Sequence, residues 1–334
     1  MPVASQWFAA PDTTHVISQS ARFNDDDSAY LHRTPSSAGN RRTWTWSGWV
    51  KRGNLGSKYF FGAVNTGTDS IGFTSTGIIS VGFNNANDGK LQTNRVFRDV
   101  AAWYHIVVGV DTTESTAGNR IRLYVNGVEE TSFSADVAPS LNYDTGVNNT
   151  VSNTVGSLSA PSGYFDGYLA EVHLVDGSQL TAASFGETND DGVWIPKAYS
   201  GSYGTNGAYL KFQDSSALGD DTSGNGNDFT SSGLAAADQV SDSPTNNHCT
   251  LNPLWVDQHT LSDGNLVASA AGDSAAIGTM AFDVTDSDGF YFEAKVTTAA
   301  TYPNVGIRTV ESPSQVGAVT SLSGNSTGRY SFTG

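Results

Sequence analysis

Charge is scarce in this chain, and positive charge is scarcest: 15% of its 334 residues are charged, with 17 Lys and Arg against 33 Asp and Glu and a net charge of -16. Globular proteins average about 25% charged residues. An acidic surface repels phosphate backbones and anionic lipids, so neither nucleic acid nor a membrane surface is an expected partner. Cysteine is nearly missing. Cys249 stands alone, which excludes an intramolecular disulfide framework and a multi-cysteine zinc site. No run approaches the roughly 18 apolar residues of a membrane span. The opening stretch MPVASQWFAAPDTTHV has neither a basic n-region nor an apolar h-region, which predicts synthesis in a cytoplasm without a cleaved signal. Long segments of 3.6-residue periodicity are missing as well, so function is expected in loops or on a sheet face.

What is there is β-sheet. Residues 103–127, WYHIVVGVDTTESTAGNRIRLYVNG, alternate with period 2 in two stretches. Tyr104, Ile106, Val108 and Val110 fall on one face of the first, and Ile121, Leu123 and Val125 on the buried face of the second. Arg122, Tyr124 and Asn126 are expected outside. Asn126-Gly127 suits a type I′ turn, which needs positive φ at both central residues, and predicts a reversal into Val128-Glu129-Glu130. Further strands are predicted at 21–23, 30–33, 43–52, 59–64, 70–74, 78–83 and 90–93, separated by turn-rich loops. In FDGYLAEVHLVDGSQL, at 165–180, Leu169 and Val172 break strict alternation and predict a β-bulge, and TAASFGE predicts a single helical turn. Regular short strands of this kind predict an all-β, antiparallel β-sandwich.

The ordered segments SARFNDDDSAYLHR, TWTWSGWVKR, AAWYHIVVGVD…IRLYVNGVEE and FDGYLAEVHLVDGSQL resemble the strands of the laminin-G-like branch of concanavalin A-like lectins and glucanases. The run from MPVASQWF to Ser243-Pro244-Thr245-Asn246 is similar to a module of virion structural proteins of marine tailed phages. That resemblance implies a jelly-roll-like sandwich on a virus particle, often in an adhesin or fibre. It further implies localisation on the virion, a homotrimer and attachment to a host-surface glycan; the alternative is an architectural capsid decoration or neck fibre that binds no sugar. In the family a segment like 208–230, AYLKFQDSSALGDDTSGNGNDFT, usually precedes the first strand. Its position here implies a permuted order in which 208–212 pairs back into the first sheet.

The resulting organisation is an anchoring arm at 1–16, a laminin-G-like sandwich at 17–232, a linker at 233–250 and a second, incomplete β-sandwich at 251–334. The arm carries Trp7 and Phe8 and is expected to dock onto other virion proteins. The last region resembles the opening strands of a SPRY-type sandwich, most clearly at 289–296.

Active members of the resembled family carry a Glu-x-Asp-x-x-Glu strand, and retaining glycoside hydrolysis needs two carboxylates about 5–5.5 Å apart. Glu171 is followed by Val172 and His173, and Glu293 by Ala294 and Lys295, so no enzyme activity is expected. His105 and His173 sit on strands and read as structural. Many laminin-G-like domains hold one Ca²⁺ at the rim, and Ca²⁺ takes oxygen ligands. Asp25, Asp26 and Asp27 stand where such ligands fall, although Ala170 replaces the family's acid two positions after Tyr168. Asp220 and Asp221, with Asn225, Asn227 and Asp228, form a second oxygen-rich set. For both sets solvated turn residues are the favoured reading over Ca²⁺ ligands, and no other cofactor is expected. Trp44 and Trp46 fall on one face with Val50 and read as core. The candidate sugar-contacting residues are the loop aromatics Tyr143 and Tyr164, with Asn142, Asp144 and Asn148.

Overall fold

A computed structural model describes residues 15–64, 67–159, 162–256, 259–270, 276–281, 293–295 and 297. The chain divides into units Met1–Ala281 and Phe282–Gly334. Trp7, Phe8 and nearly all of the stretch compared with SPRY domains after Ala281 lie outside the described residues.

The first sheet contains β1 (Ser20–Phe23), β3 (Thr43–Arg52), β8 (Trp103–Asp111), β9 (Ile121–Val125), β10 (Val128–Glu129), β13 (Gly167–Asp176), β16 (Ala208–Leu210) and β18 (Gln239–Val240). Its order is β10-β9-β8-β3-β13-β1-β18, with β16 also on β13. The second contains β2 (Tyr30–Arg33), β4 (Lys58–Val64), β5 (Thr68–Phe73), β6 (Ile79–Phe83), β7 (Gly89–Thr93), β11 (Phe133–Val137), β12 (Asn153–Val155) and β17 (Thr230–Ser232). It runs β11-β7-β6-β5-β4-β12-β2-β17. Every pairing is antiparallel, and the described helical content is three short 3-10 turns, including Ala182–Ser184 in the TAASFGE stretch.

Alternation fills the space between the sheets. Trp44, Trp46, Val50, Ile106, Val108, Ile121 and Leu123 from one side meet Leu31, Phe60, Phe61, Ile71, Phe73, Val81 and Leu91 from the other in one core. Trp46 lies 5.1 Å from Phe60 between ring centroids. Burying such rings provides the largest apolar contribution per residue, so Trp44 and Trp46 of β3 anchor the core between the sheets. The predicted hairpin turn forms with φ of 48° at Asn126 and 82° at Gly127. The bulge in β13 falls between Ala170 and His173, with Glu171 at φ 47°. It returns Val172 to the core three residues after Leu169.

Two sequence expectations change. Tyr124, expected outside, is buried with Val107, Val175, Ala182 and Phe185, because the segment 180–203 folds back over the outer face of the first sheet. Strands covered on both faces lose the polar alternation that marks a solvent side, and β3 and β13 are buried along almost their whole length. Residues 233–250, expected as a linker, are packed: β18 pairs with β1, and the fully buried Lys51 ammonium donates to Asp242 (2.7 Å), Asn247 (2.9 Å) and the His248 carbonyl (2.7 Å). A buried ammonium is tolerable only with its three donors satisfied, so Lys51 ties this segment to β3. As expected from the displaced motif, β16 pairs back onto β13, Val172 opposite Leu210 and Leu174 opposite Ala208.

Beyond the sandwich, β14 (Gly186–Thr188) pairs with β15 (Trp194–Pro196), β19 (Leu251–Val256) with β22 (Ala276–Gly278), and β20 (His259–Ser262) with β21 (Val267–Ala270). The β20–β21 turn touches the first sheet, where the Tyr168 hydroxyl donates to the Gly264 carbonyl at 2.7 Å.

Candidate functional site

The outer face of the second sheet gathers exposed aromatic surface at the β12-β2-β17 edge. In β2 the core residue is Leu31, so Tyr30 and His32 point to the opposite face. Tyr30 lies 5.4 Å from His32 and 5.9 Å from Tyr164 between ring centroids. All three rings are half-buried. The partners of Tyr30 and His32 on β17 are Ser232 and Thr230, which adds two hydroxyl side chains to the same face. The result is a ring platform beside short polar groups on a rigid sheet, an arrangement suited to a flat ligand with one apolar face and many hydroxyls.

Tyr164 reaches this place because its loop folds over the sheet. Gly156, at φ 81°, turns the chain after β12; a Cβ there would meet the Phe23 ring at 2.3 Å. Leu158 and Gly163 then close a small turn, with the Leu158 amide donating to the Gly163 carbonyl at 3.2 Å. The loop rests on Gly62 of β4, where a Cβ would lie 2.0 Å from the Leu158 carbonyl oxygen. Tyr59 stands beside it, 3.1 Å from the position of a Cβ on Gly163, and is also half-buried. Two residues not picked out from the sequence, Tyr30 and His32, therefore complete the cluster. The signal for them was the Tyr-Leu-His alternation of a half-buried strand.

The remaining candidate residues lie elsewhere. Tyr143 sits beside β6 and β7: its ring stacks on Phe83 at 6.2 Å, and its hydroxyl donates to Asp88 at 3.3 Å. Four strand positions separate β6 from β2 in the sheet, so Tyr143 and Tyr164 do not share a site. Burial, helped by the nearby Asp69 and Asp88 charges, raises the Tyr143 hydroxyl's pKa far above its ordinary value. Asp144 is exposed and pairs with Arg42 at 2.7 Å, and Asn142 is exposed in a left-handed conformation. Asn148 is fully buried; its amide donates to the Asn40 carbonyl (3.0 Å) and Asp176 (3.1 Å). It fixes loops and is out of reach of a ligand.

Neither acidic set is an open cage. Asp25 pairs with Lys58, and Asp27 accepts the Asn24 amide at 2.8 Å. Asp166 lies close to Asp25 and Asp26; burial first, then the Asp25 charge, pushes its carboxyl up to about 6. Asp221 is buried and accepts the Tyr209 amide (2.8 Å), the Asn227 amide (2.8 Å) and both the amide and hydroxyl of Ser223 (2.9 Å each). Its oxygens organise the 220–228 loop, whereas Asp220 is exposed. Among the described residues no three His, Cys, Asp or Glu side chains converge on one point as metal ligands do.

The titratable groups on the outer face of the first sheet are also internally committed. Glu171 accepts the Tyr209 hydroxyl at 2.5 Å and faces His15 at 2.9 Å. Burial opposes its ionisation, but His15, His173 and Tyr209 together hold its carboxyl well below the usual range. His105 is clamped between Trp49 (4.8 Å, stacked) and Trp194 (5.9 Å, stacked). Its Nδ1 accepts the Trp194 indole N–H at 3.0 Å; indole only donates, so the proton sits on Nε2 and is given to Ser47 at 2.9 Å.

The fold is an antiparallel β-sandwich that carries a ring cluster on one outer face. Residues 23–185 are similar to a laminin G family model described as the concanavalin A-like lectin/glucanases superfamily. Similar solved structures include a SAP-like pentraxin from Limulus polyphemus, at 13% identity over 51% of this chain and 80% of that one, with a TM-score of 0.39. A putative carbohydrate binding protein from Bacteroides ovatus is 13% identical over 65% of this chain and 58% of that one, TM-score 0.37. Domains LG4-5 of the mouse laminin alpha1 chain are 12% identical over 57% and 48%, TM-score 0.36. The chain thus spans about half the length of the last two. No curated protein matches it.

Proposed function

We propose that this chain is a non-catalytic, carbohydrate-binding attachment protein of a phage particle, with its sugar-contacting surface at Tyr30, His32, Tyr59 and Tyr164. The observation that carries the reading is the ring cluster on the outer face of the second sheet. Pyranose rings offer C–H faces that stack on aromatics, and their hydroxyls need short polar neighbours such as Thr230 and Ser232. The virion setting rests on the resemblance of the sequence to phage modules. In that setting residues 1–16, with Trp7 and Phe8, would hold the chain to other virion proteins, and trimerisation would multiply a weak single-site affinity.

A catalytic role is disfavoured by chemistry. Glu171, which does not continue into the family's Glu-x-Asp-x-x-Glu pattern, has its oxygens taken by Tyr209 and His15. A carboxylate so held is a poor general acid, because a general acid needs its pKa raised toward the working pH.

A glycan array with the purified chain tests the reading. Saturable binding is expected, with Tyr30→Ala and Tyr164→Ala each weakening it roughly tenfold, an interaction of about 1.4 kcal/mol, while Tyr143→Ala leaves it unchanged. Silence across the array, with normal incorporation into particles, would assign the chain an architectural role instead.

A further inference from the structure

Lys51, near the end of β3, has more built around its amine than a counter-charge alone requires. The side chain is fully buried, and Nζ donates to Asp242 Oδ2 at 2.7 Å, to Asn247 Oδ1 at 2.9 Å and to the His248 carbonyl at 2.7 Å. The Asn247 amide is pinned from its other end, since Nδ2 donates to the Ala101 carbonyl at 2.8 Å. Asp242 is buried and equally fixed. Its Oδ1 accepts the Trp103 indole N–H at 3.0 Å and the backbone amide of His248 at 3.2 Å, so the carboxylate belongs to the same turn as Asn247. An amine, a primary amide and a carboxylate are thus held in contact, the first two 196 positions apart in the chain.

These groups are the two reactants and the proton carrier of an amide exchange. A neutral lysine amine is a nucleophile, and burial pushes the Lys51 pKa down, against the pull of the Asp242 charge. The walls are the buried rings of Trp103 and Tyr168, the latter centred 5.7 Å from Nζ. In such surroundings, moving the ammonium proton along the 2.7 Å hydrogen bond to Asp242 removes two buried charges at once, and buried charges are costly. With Nζ against Asn247 Oδ1, the electrophilic Cγ is the next atom along the side chain. Holding reactants in place in this way is equivalent to about 10⁵ M or more of free reagent. A cavity of about 330 Å³, lined by Tyr168, Asp242 and the exposed His248 and Cys249, lies beside the carboxylate and gives a small leaving group a way out.

We propose that Lys51 and Asn247 join in an intramolecular isopeptide bond, with Asp242 carrying the proton. Asp242 takes one proton from the Lys51 ammonium, and the freed Nζ lone pair attacks Asn247 Cγ while the carbonyl π electrons move onto Oδ1. Asp242 then gives its proton to Nδ2. As the C=O re-forms, the Cγ–Nδ2 bond breaks and ammonia leaves with the bonding pair, taking the surplus Nζ proton with it as ammonium. Asp242 ends as the carboxylate it began as, and no oxidant, cofactor or second chain is consumed. The product ties β3 covalently to the segment 241–250 and replaces a buried ammonium with a neutral amide. This proposal is independent of the carbohydrate-binding reading.

Intact-mass spectrometry of the purified full chain, followed by mapping of its proteolytic peptides, tests this. The folded chain should weigh one ammonia less than its sequence requires, and the digest should contain a branched peptide joining Lys51 to Asn247. Asn247→Ala, a change at a half-buried side chain, should abolish both the ammonia loss and the branched peptide, whereas Asn246→Ala, at the exposed neighbour, should keep them. The wild-type measurement stands whether or not a variant folds. Three results would each overturn the proposal: the full sequence mass in the folded wild type, an ammonia loss that survives Asn247→Ala, or a loss without the branched peptide, as ring closure at Asn126-Gly127 would give.

Discussion

At the scale of single residues, His105 illustrates how this sandwich uses polar side chains as packing. Its ring is stacked between two tryptophans and both nitrogens are bonded as a neutral tautomer. Burial, with His173 adding repulsion, pushes its pKa down to about 3. The unfolded chain takes up a proton near the ordinary value of 6.5, and the folded imidazole refuses it until about 3. Stability is therefore present in full above 6.5 and falls as the pH drops through that window, by about 1.4 kcal/mol per pH unit for one proton. Denaturant unfolding of the wild type and of His105→Gln between pH 6.5 and 4.5 checks this. The wild type should lose stability more steeply by about that slope, and equal slopes would show that His105 titrates normally. Asp69 and Asp166 act in the opposite sense, since burial raises each to about 6, which is why the difference between the two proteins is the informative quantity.

At the scale of elements, short strands within 208–240 complete both sheets. β16 extends β13 beyond the bulge, β17 covers the edge of β2, and β18 covers β1. Ending the chain at residue 200 would strip all three and bare the β1 and β2 edges, which are templates for aggregation. The truncated chain should be insoluble or lack a cooperative unfolding transition, and a soluble, cooperative fragment would refute the account of closure. His15 makes a second element-scale tie. Its hydrogen bond to Glu171 raises the histidine pKa, so the tie contributes below the ordinary histidine pKa and is lost as the pH rises through the raised one.

Strands were the legible part of the sequence. β2 and β3 begin and end where alternation and turn residues put them, and the bulge announced itself as two core residues three apart. The cover on the first sheet was not legible, because Tyr124 alternates as a solvent residue and only the return of 180–203 buries it. The packing of 233–250 hid for a similar reason: it depends on Lys51 and Asp242, 191 positions apart, and neither looks like core. Of the candidate site, Tyr164 was legible as a loop aromatic. Tyr30 and His32 were concealed inside a strand whose outer face gives no local sign of what lies against it.

At the scale of the whole molecule, two sheets sealed by aromatic side chains form the support, and the proposed recognition falls to one outer face. That division explains the composition. Few charges are needed where Ser, Thr, Asn and Gly shape the loops. On the proposed reading, a sugar should touch the face that carries Tyr30 and Tyr164.

The most direct measurement is therefore ring-resonance mapping of the tyrosines, with a glycan identified on the array added to the full chain. Shifts at Tyr30, Tyr59 and Tyr164, with Tyr143 undisturbed, are the predicted result. Shifts confined to Tyr143, or spread over no tyrosine of the second sheet's outer face, would contradict the account.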